Sequence, residues 1–183
     1  MKVILAAVNA KYIHSNLAVF SLRAYAAQHG QEAEIAEYTI NHQPEHILMD
    51  LYKRKPDVLA FSCYIWNFEM ILELAEEFSL LCPETDIWLG GPEVSWHAKK
   101  LLERHPFLRG IMRGEGEETF LELLEYYRGK RQTLEEIRGL TFRQAMLDRS
   151  LSSMELQHQT DEMQMVRQPE SQKSVSGQEE TVH

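Results

Sequence analysis

The fold is decided by the stretch Asp-Val-Leu-Ala-Phe-Ser (57–62), a continuous apolar run that ends in a small polar residue. Such a run predicts a β-strand that is buried on both faces of a sheet. Lys55-Pro56 ends the preceding helical pattern, and apolar residues at helical spacing follow over 68–78. The stretch is therefore the strand of a strand–helix unit, and similar units lie on either side of it.

Further strand patterns cover residues 3–8, 34–38, 85–89 and 110–112, and helical patterns, one of them over about 95–104, separate them. This alternation with short connections requires a parallel sheet with helices on both faces and right-handed crossovers. We expect an α/β fold of the Rossmann-like, flavodoxin-like type, a doubly wound parallel five-stranded sheet in the order 2-1-3-4-5. Residues 139–142 predict a final strand, either at an edge or at the start of a hairpin.

The composition of the 183-residue chain is that of one domain of ordinary size. The formal net charge is −9 and basic clusters are absent, which argues against a nucleic acid partner. No apolar run approaches the roughly 20 residues that cross a bilayer, so we expect no membrane partner. The opening residues lack the long apolar region of a signal peptide, and we expect a cytoplasmic protein. Two cysteines, Cys63 and Cys82, provide neither a disulfide framework nor an all-cysteine metal site.

The two ends of the chain differ in composition. All 17 aromatic residues lie at or before Phe142, whereas residues 144–183 contain seven acidic side chains, three basic side chains and seven glutamines. A segment without aromatic residues and with so much charge buries too little apolar area to offset its ordering entropy. We therefore expect a folded domain over 1–143 and a disordered tail over 144–183.

Ligands of doubly wound sheets bind outside the carboxyl ends of the strands, so function is expected in the loops after residues 8, 62, 90 and 112. The first loop has no glycine, unlike a phosphate-binding turn. Its aromatic ring, imidazole and amides suit a large ligand of mixed polarity. The alternative is that these side chains cover the sheet and that Ser15 or Asn16 caps the next helix. The candidate binding residues of this loop are Asn9, Lys11, Tyr12, Ile13 and His14.

The second loop places Ser62 where a phospho-receiver domain needs an aspartate, which excludes that class. Ser62 is small enough to admit a ligand near the sheet edge. Tyr64 and Trp66 are candidates for the wall of a site for a flat apolar group. Asn67 is interpreted as the N-cap of the following helix.

The third and fourth loops are rich in glycine. Paired glycines directly after a strand allow either a left-handed turn or the close approach of a bulky group. The carboxylates of the fourth loop would repel phosphate. Near the start of a helix, they stabilise the helix through their interaction with its dipole. The candidate binding residues of the two loops are Gly90, Gly91, Pro92, Glu93, Gly114, Glu115 and Gly116.

Together these loops resemble the cobalamin-binding domain at the front of cobalamin-dependent radical S-adenosylmethionine (radical SAM) enzymes. The resemblance covers about 1–143 and implies that cobalamin lies over the carboxyl ends of the strands. Its nucleotide tail would then enter a slot lined by Ser62 and Gly90-Gly91. Four stretches carry the resemblance: Val-Asn-Ala-Lys-Tyr-Ile-His-Ser (8–15), Phe-Ser-Cys-Tyr-Ile-Trp-Asn (61–67), Leu-Gly-Gly-Pro-Glu-Val-Ser (89–95) and Arg-Gly-Glu-Gly-Glu-Glu-Thr-Phe (113–120).

One residue of the resemblance is a candidate metal ligand. The wider fold often carries Asp-x-His-x-x-Gly, whose histidine ligates cobalt, and His14 matches that histidine. Tyr12 and Leu17 stand where the motif has Asp and Gly. Because a carboxylate normally orients a ligating imidazole, the departure favours an ordinary loop histidine over a cobalt ligand.

The resemblance also has a limit within this chain. The family continues into a barrel whose Cys-x-x-x-Cys-x-x-Cys motif holds a [4Fe–4S] cluster, and these 183 residues contain no such motif. We therefore expect S-adenosylmethionine and the cluster to belong to a radical SAM domain supplied in cis or in trans, with this chain alone inactive.

Three hypotheses for the function follow from the sequence. The leading hypothesis is a cobalamin-binding module of a radical SAM enzyme, of the methyltransferase-like or a related rearranging kind. The alternative is a non-catalytic, flavodoxin-like interaction or regulatory module, which predicts a closed crevice after the first and third strands. A nucleotide-binding enzyme is disfavoured by the first and fourth loops.

The departure at Tyr12 and Leu17 predicts that His14→Ala leaves the visible spectrum of bound hydroxocobalamin unchanged. An imidazole without a carboxylate partner is poorly oriented as a ligand. The measurement is the absorption spectrum of the complex after gel filtration, with Ser15→Ala as the control. A spectral shift confined to His14→Ala, at equal occupancy, would identify His14 as the cobalt ligand.

Overall fold

A mixed β-sheet organises the computed structural model, which describes residues 1–10 and 15–143. The expected disordered tail, 144–183, lies outside the described residues. The strands are β1 (Val3–Asn9), β2 (Glu34–Thr39), β3 (Val58–Ser62), β4 (Asp86–Gly90), β5 (Gly110–Met112) and β6 (Leu140–Phe142). Within the described residues these six strands are hydrogen-bonded in the order β2-β1-β3-β4-β5-β6. β1 to β5 are parallel, which confirms the predicted order 2-1-3-4-5.

The sheet has one strand more than the five expected. β6 pairs antiparallel with β5, so the residues predicted as a final strand form an edge strand. The approach is very close at Gly110, where an added Cβ would lie 2.9 Å from Phe142 Cβ and 2.3 Å from Trp88 Cζ3. Because glycine has no Cβ, β6 reaches β5 without displacing the buried Trp88 ring.

Six helices connect and cover these strands in the described part of the chain. They are α1 (Leu17–Gln28), α2 (Pro44–Arg54), α3 (Phe68–Leu81), α4 (Pro92–Ser95), α5 (Ala98–Arg104) and α6 (Glu117–Tyr127). Asn16 caps α1, as one of the sequence alternatives predicted, by accepting a 3.1 Å hydrogen bond from the Ala18 N–H. None of the described helices has the length and apolarity that a membrane crossing requires.

The single helix predicted over about 95–104 is wrong in its extent. Pro92 occupies the first turn of α4, which its fixed φ favours, so a helical turn begins directly after Gly91. The chain then leaves the helix at Trp96, and α5 begins at Ala98. Trp96 is 87% exposed at this break.

Helices cover both faces of the sheet, and each face has its own apolar core. The side chains of β1 alternate between them, with Ile4, Ala6 and Val8 on one face and Leu5 and Ala7 on the other. The first face packs against α2, α3 and α5, and the second packs against α1 and α6. After β1 the chain therefore turns to the second face, whereas after β3 it turns to the first.

The end of β4 approaches the chain after β3 closely. The Cys63 N–H donates a 2.7 Å hydrogen bond to the Gly90 carbonyl, which continues the pairing beyond β3. Gly91 has a φ of +110°, and an added Cβ would lie 2.4 Å from the Cys63 carbonyl oxygen. Both the conformation and the space therefore require glycine here.

We expect Gly91→Ala to lower the free energy of unfolding by about 3 kcal/mol or more. The alanine would adopt an unfavourable φ, and the backbone at Cys63 would have to move to make room for its Cβ. Gly30→Ala is the matched control, since Gly30 also has a positive φ, +70°, but an added Cβ meets nothing within 4 Å. Its loss should be about 1–2 kcal/mol. Urea denaturation measures both, and equal losses would contradict the role given to the contact with Cys63.

Candidate functional site

A cavity of about 450 Å³ opens at the carboxyl side of the sheet, on the face covered by α1 and α6. It lies between the strands β1, β3, β4 and β5 and the first turns of these two helices. In a doubly wound sheet this is the side on which ligands bind.

The floor of the cavity is apolar. Leu5 and Ala60 are paired across β1 and β3, and Met112 contributes from β5. Val19 and Leu22 close the floor from α1. All of these except Leu22 are buried, so an apolar group entering the cavity would meet a dry surface.

A row of small residues keeps the space above this floor open. Ser62 is paired with Gly90, and Gly90 is paired with Met112. A Cβ added to Gly90 would make ordinary contacts of 3.7 Å with the Met112 side chain. Gly90 is therefore not required by its own backbone, and a larger residue there would project into the cavity.

The fourth loop borders the opposite wall. Gly114 has a φ of +77°, and an added Cβ would face open space. Gly116 lies against α1, where an added Cβ would be 3.0 Å from Leu22 Cδ2. Glu115 lines the same wall and is exposed to solvent.

Ser62 is a buried polar residue in the lining of the cavity. Its Oγ accepts a 3.1 Å hydrogen bond from Asn16 Nδ2, and both residues are buried. Asn16 is held by its capping bond to Ala18, so the orientation of its amide is fixed. Since the Ser62 oxygen is used as an acceptor, its hydroxyl proton is available to an acceptor in the cavity.

The Asn67 side chain joins the ends of β1 and β3. Its Nδ2 donates to the Val8 carbonyl at 2.8 Å and to the Ser62 carbonyl at 3.1 Å, and its Oδ1 accepts from the Tyr64 N–H at 2.8 Å. Asn67 is 1% exposed. It occupies the N-cap position of α3, as the sequence predicted, but its side chain makes no capping bond and joins the strand ends instead.

Aromatic side chains border the mouth of the cavity. Tyr64 and Trp66 are stacked, with ring centroids 4.6 Å apart and planes 9° from parallel. Tyr64 lines the cavity, whereas Trp66 lies outside its lining and is 49% exposed. Trp96 lines the mouth from the other side.

The structure brings the second, third and fourth loops together around the cavity. Asn9, Trp66 and Glu93 are not in the lining, and the Asn9 side chain donates to Glu37 at 3.0 Å instead. Lys11, Tyr12, Ile13 and His14 lie outside the described residues. The candidates that line the cavity are Ser62, Tyr64, Gly90, Gly91, Pro92, Gly114, Glu115 and Gly116.

Sequence reasoning missed the floor of the cavity and part of its rim. The signal for the strand residues was the two-residue period, because Ala60 shares the face of Ser62. No local signal marks the helix residues, since their position depends on how α1 packs. The missed lining residues are Leu5, Ala18, Val19, Leu22, Ala60, Phe61, Ser95, Trp96, Met112 and Glu117.

Cys63 is next to the cavity but is not chemically reactive. Its side chain is fully buried in the core of the other face. Burial raises the pKa of the Cys63 thiol far above its usual range. The group is therefore a thiol rather than a nucleophilic thiolate at neutral pH.

The fold and this cavity define a cofactor-binding α/β domain, and comparison with known families identifies its kind. Residues 3–124, more than half of the chain, match the B12 binding domain family. The chain belongs to this family of cobalamin-binding domains.

Curated relatives match over shorter stretches. The chain is 40% identical over 70 residues to the cobalamin-dependent radical SAM methyltransferase TokK of Streptomyces tokunonensis, which covers 38% of this chain and 10% of the relative. It is 34% identical over 95 residues to the hopanoid C-3 methylase of Methylococcus capsulatus, which covers 51% of this chain and 18% of that protein. The match thus spans a tenth to a fifth of the length of these relatives.

A solved structure shares the fold. The cobalamin-dependent S-adenosylmethionine radical enzyme OxsB, solved with aqua-cobalamin and S-adenosylmethionine bound, superposes with a TM-score of 0.64 at 20% identity. The superposition covers 77% of this chain and 21% of OxsB.

We expect Asn67→Asp to lower the free energy of unfolding by about 3 kcal/mol at pH 7. The substitution preserves size but places a buried carboxylate against two carbonyl oxygens in place of an amide donor. Asn41→Asp, at an exposed position, is the control and should change stability by less than about 0.5 kcal/mol. Urea denaturation is the measurement, and equal effects of the two variants would contradict the bridging role of Asn67.

Proposed function

We propose that residues 1–143 are the cobalamin-binding domain of a radical SAM enzyme of the methyltransferase-like kind. Membership of the B12 binding domain family and the relatives' names support this assignment. The observation that carries it is the apolar-floored cavity at the carboxyl side of the sheet, held open by Gly90 and Gly114.

The residues present fit a corrinoid with an extended nucleotide tail. The cavity volume of about 450 Å³ is within the usual range of small-molecule sites. Its floor is apolar, its one deep hydroxyl among the described residues is that of Ser62, and its mouth has Tyr64 and Trp96. A flat heterocyclic group that enters through the mouth matches this order of surfaces.

The roles of the cavity residues follow from their contacts. Ser62, fixed by Asn16, would donate its proton to a ring nitrogen of the tail. The space above Gly90 and Gly114 would hold the tail, and Tyr64 would cover it from the mouth. Trp66 and Glu93, which lie outside the lining, would contact the corrin ring above the strand ends.

Catalysis would require a second domain. Bound cobalamin supplies a cobalt centre that carries a methyl group or an electron, and the protein supplies position and environment. The S-adenosylmethionine and the [4Fe–4S] cluster would be held by a radical SAM domain in cis or in trans. Exposed apolar residues near the mouth, Ile65 and Trp96, are available to contact such a domain.

The alternative, a non-catalytic interaction module, is less well supported. It predicts a closed crevice, whereas the cavity between α1, α6 and the sheet is open and apolar. A module without a ligand would gain stability by filling such a cavity with larger side chains.

We expect purified protein to retain hydroxocobalamin through gel filtration and Gly90→Val to weaken binding at least about tenfold. The valine side chain would occupy the space above Met112, and the loss of apolar contact with the tail corresponds to more than about 1.4 kcal/mol. Binding is measured by titrating tryptophan fluorescence, which the corrinoid quenches.

Gly30→Ala is the control, because it strains the backbone far from the cavity and should leave affinity unchanged. If the wild-type protein releases all corrinoid at high protein concentration, the proposed function is wrong. Equal affinity of Gly90→Val and the wild type would instead show that the tail does not occupy this cavity.

A further inference from the structure

We propose that the cavity selects among corrinoids by the base at the end of the nucleotide tail, accepting a benzimidazole and discriminating against a purine such as adenine. The inference rests on the proposed function, in which the tail enters the cavity. It assigns specificity to the floor residues, chiefly Ala60, rather than to the glycine-rich loops.

The floor of the cavity is entirely apolar. Leu5, Val19 and Ala60 are each 1–2% exposed, and Met112 is 4% exposed. They present only carbon and thioether sulfur to the cavity. A dimethylbenzimidazole has a hydrocarbon edge with two methyl groups, and burying that edge against such a surface is favourable.

Three polar side chains of the lining, those of Ser62, Ser95 and Glu117, have hydrogen-bond partners within the protein. Ser95 is already used, since its Oγ donates to the Gly91 carbonyl at 2.8 Å and accepts from the Gly114 N–H at 3.4 Å. Glu117 accepts a 2.7 Å hydrogen bond from Ser21, outside the floor. Among the side chains of the described lining residues, the Ser62 hydroxyl is therefore the deep donor that remains.

The single Ser62 hydroxyl donor suits a base that has a single hydrogen-bond acceptor. A benzimidazole joined to ribose through one nitrogen has a single remaining ring nitrogen, which accepts one hydrogen bond. Adenine has that acceptor, two further ring nitrogens and an exocyclic amine. Burial would leave those three groups without partners against Leu5, Val19 and Ala60, and unpaired buried polar groups are unfavourable.

The size of the effect follows from how apolar sites reject polar analogues. A hydrophobic pocket discriminates against an analogue with an added polar group by roughly tenfold to a hundredfold. We therefore expect an adeninyl corrinoid to bind at least about tenfold more weakly than cobalamin.

The experiment measures Kd for three corrinoids in the cyano form with the full 183-residue chain. They are cobalamin, pseudocobalamin, whose base is adenine, and cobinamide, which lacks the nucleotide tail. Cobalamin binding at least about tenfold more tightly than pseudocobalamin supports the inference. Equal binding of cobalamin and pseudocobalamin, both tighter than cobinamide, overturns the selectivity and leaves the proposed function standing. If cobalamin binds no more tightly than cobinamide, the tail does not enter the cavity, and the inference is overturned together with that part of the proposed function.

A variant tests whether the floor is the selective surface. Ala60→Ser adds a hydroxyl beneath the base and should reduce the Kd ratio of pseudocobalamin to cobalamin roughly threefold, the effect of one added hydrogen bond. Ala75→Ser is the matched control, because Ala75 is equally buried but lies in the core of the other face. An unchanged ratio in a folded Ala60→Ser protein, checked by thermal unfolding, would contradict the role of Ala60, as would an equal change in Ala75→Ser.

Discussion

The amide of Asn67 bridges the two strands between which the chain changes direction. β1 and β3 are neighbours, but the chain leaves β1 toward α1 on one face and leaves β3 toward α3 on the other. The carbonyl groups of Val8 and Ser62 lie at this divergence, and Asn67 Nδ2 donates to both. A buried carbonyl without a donor is unfavourable, so this side chain allows the strands to end here. The cavity opens between the loops that follow β1 and β3. These loops can separate only because the carbonyl groups at the two strand ends have a hydrogen-bond donor in Asn67.

A second constraint lies one strand further along the sheet. Gly91 packs against Cys63, and the Cys63 N–H continues the pairing to Gly90. The sequence left a turn and a ligand slot as alternatives for the glycine pair. The structure separates the two residues, because Gly91 is required by backbone contact whereas Gly90 leaves a space that a side chain could fill. One glycine of the pair therefore stabilises the fold and the other keeps the cavity open.

The sequence was informative where the cause is local. Apolar runs predicted the five parallel strands and their order, and one interpretation of the first loop gave Ser15 or Asn16 as a helix cap, of which Asn16 caps the N–H two residues away. Asn67 occupies the same kind of position, yet its acceptors lie in β1 and β3, and tertiary contacts replaced the local one. The cavity floor was not predicted for a similar reason, since Val19 borders it only because α1 packs on that face. β6 was predicted as a strand, but its antiparallel pairing with β5 depended on the close approach at Gly110, which no periodicity reveals.

The cavity also shows how a domain can be well packed and still contain a binding space. Both faces of the sheet have continuous apolar cores, and this cavity lies at the carboxyl ends of the strands, where Ser62 and Gly90 are small. Gly116 lies close enough to Leu22 for the first turn of α6 to rest on α1 at this end of the sheet. The buried apolar floor lacks partner atoms on the side that faces the cavity, and a ligand that fills the cavity supplies the missing contacts. Binding of such a ligand and completion of the core are therefore the same physical event at this end of the sheet, so ligand affinity is coupled to the stability of the fold.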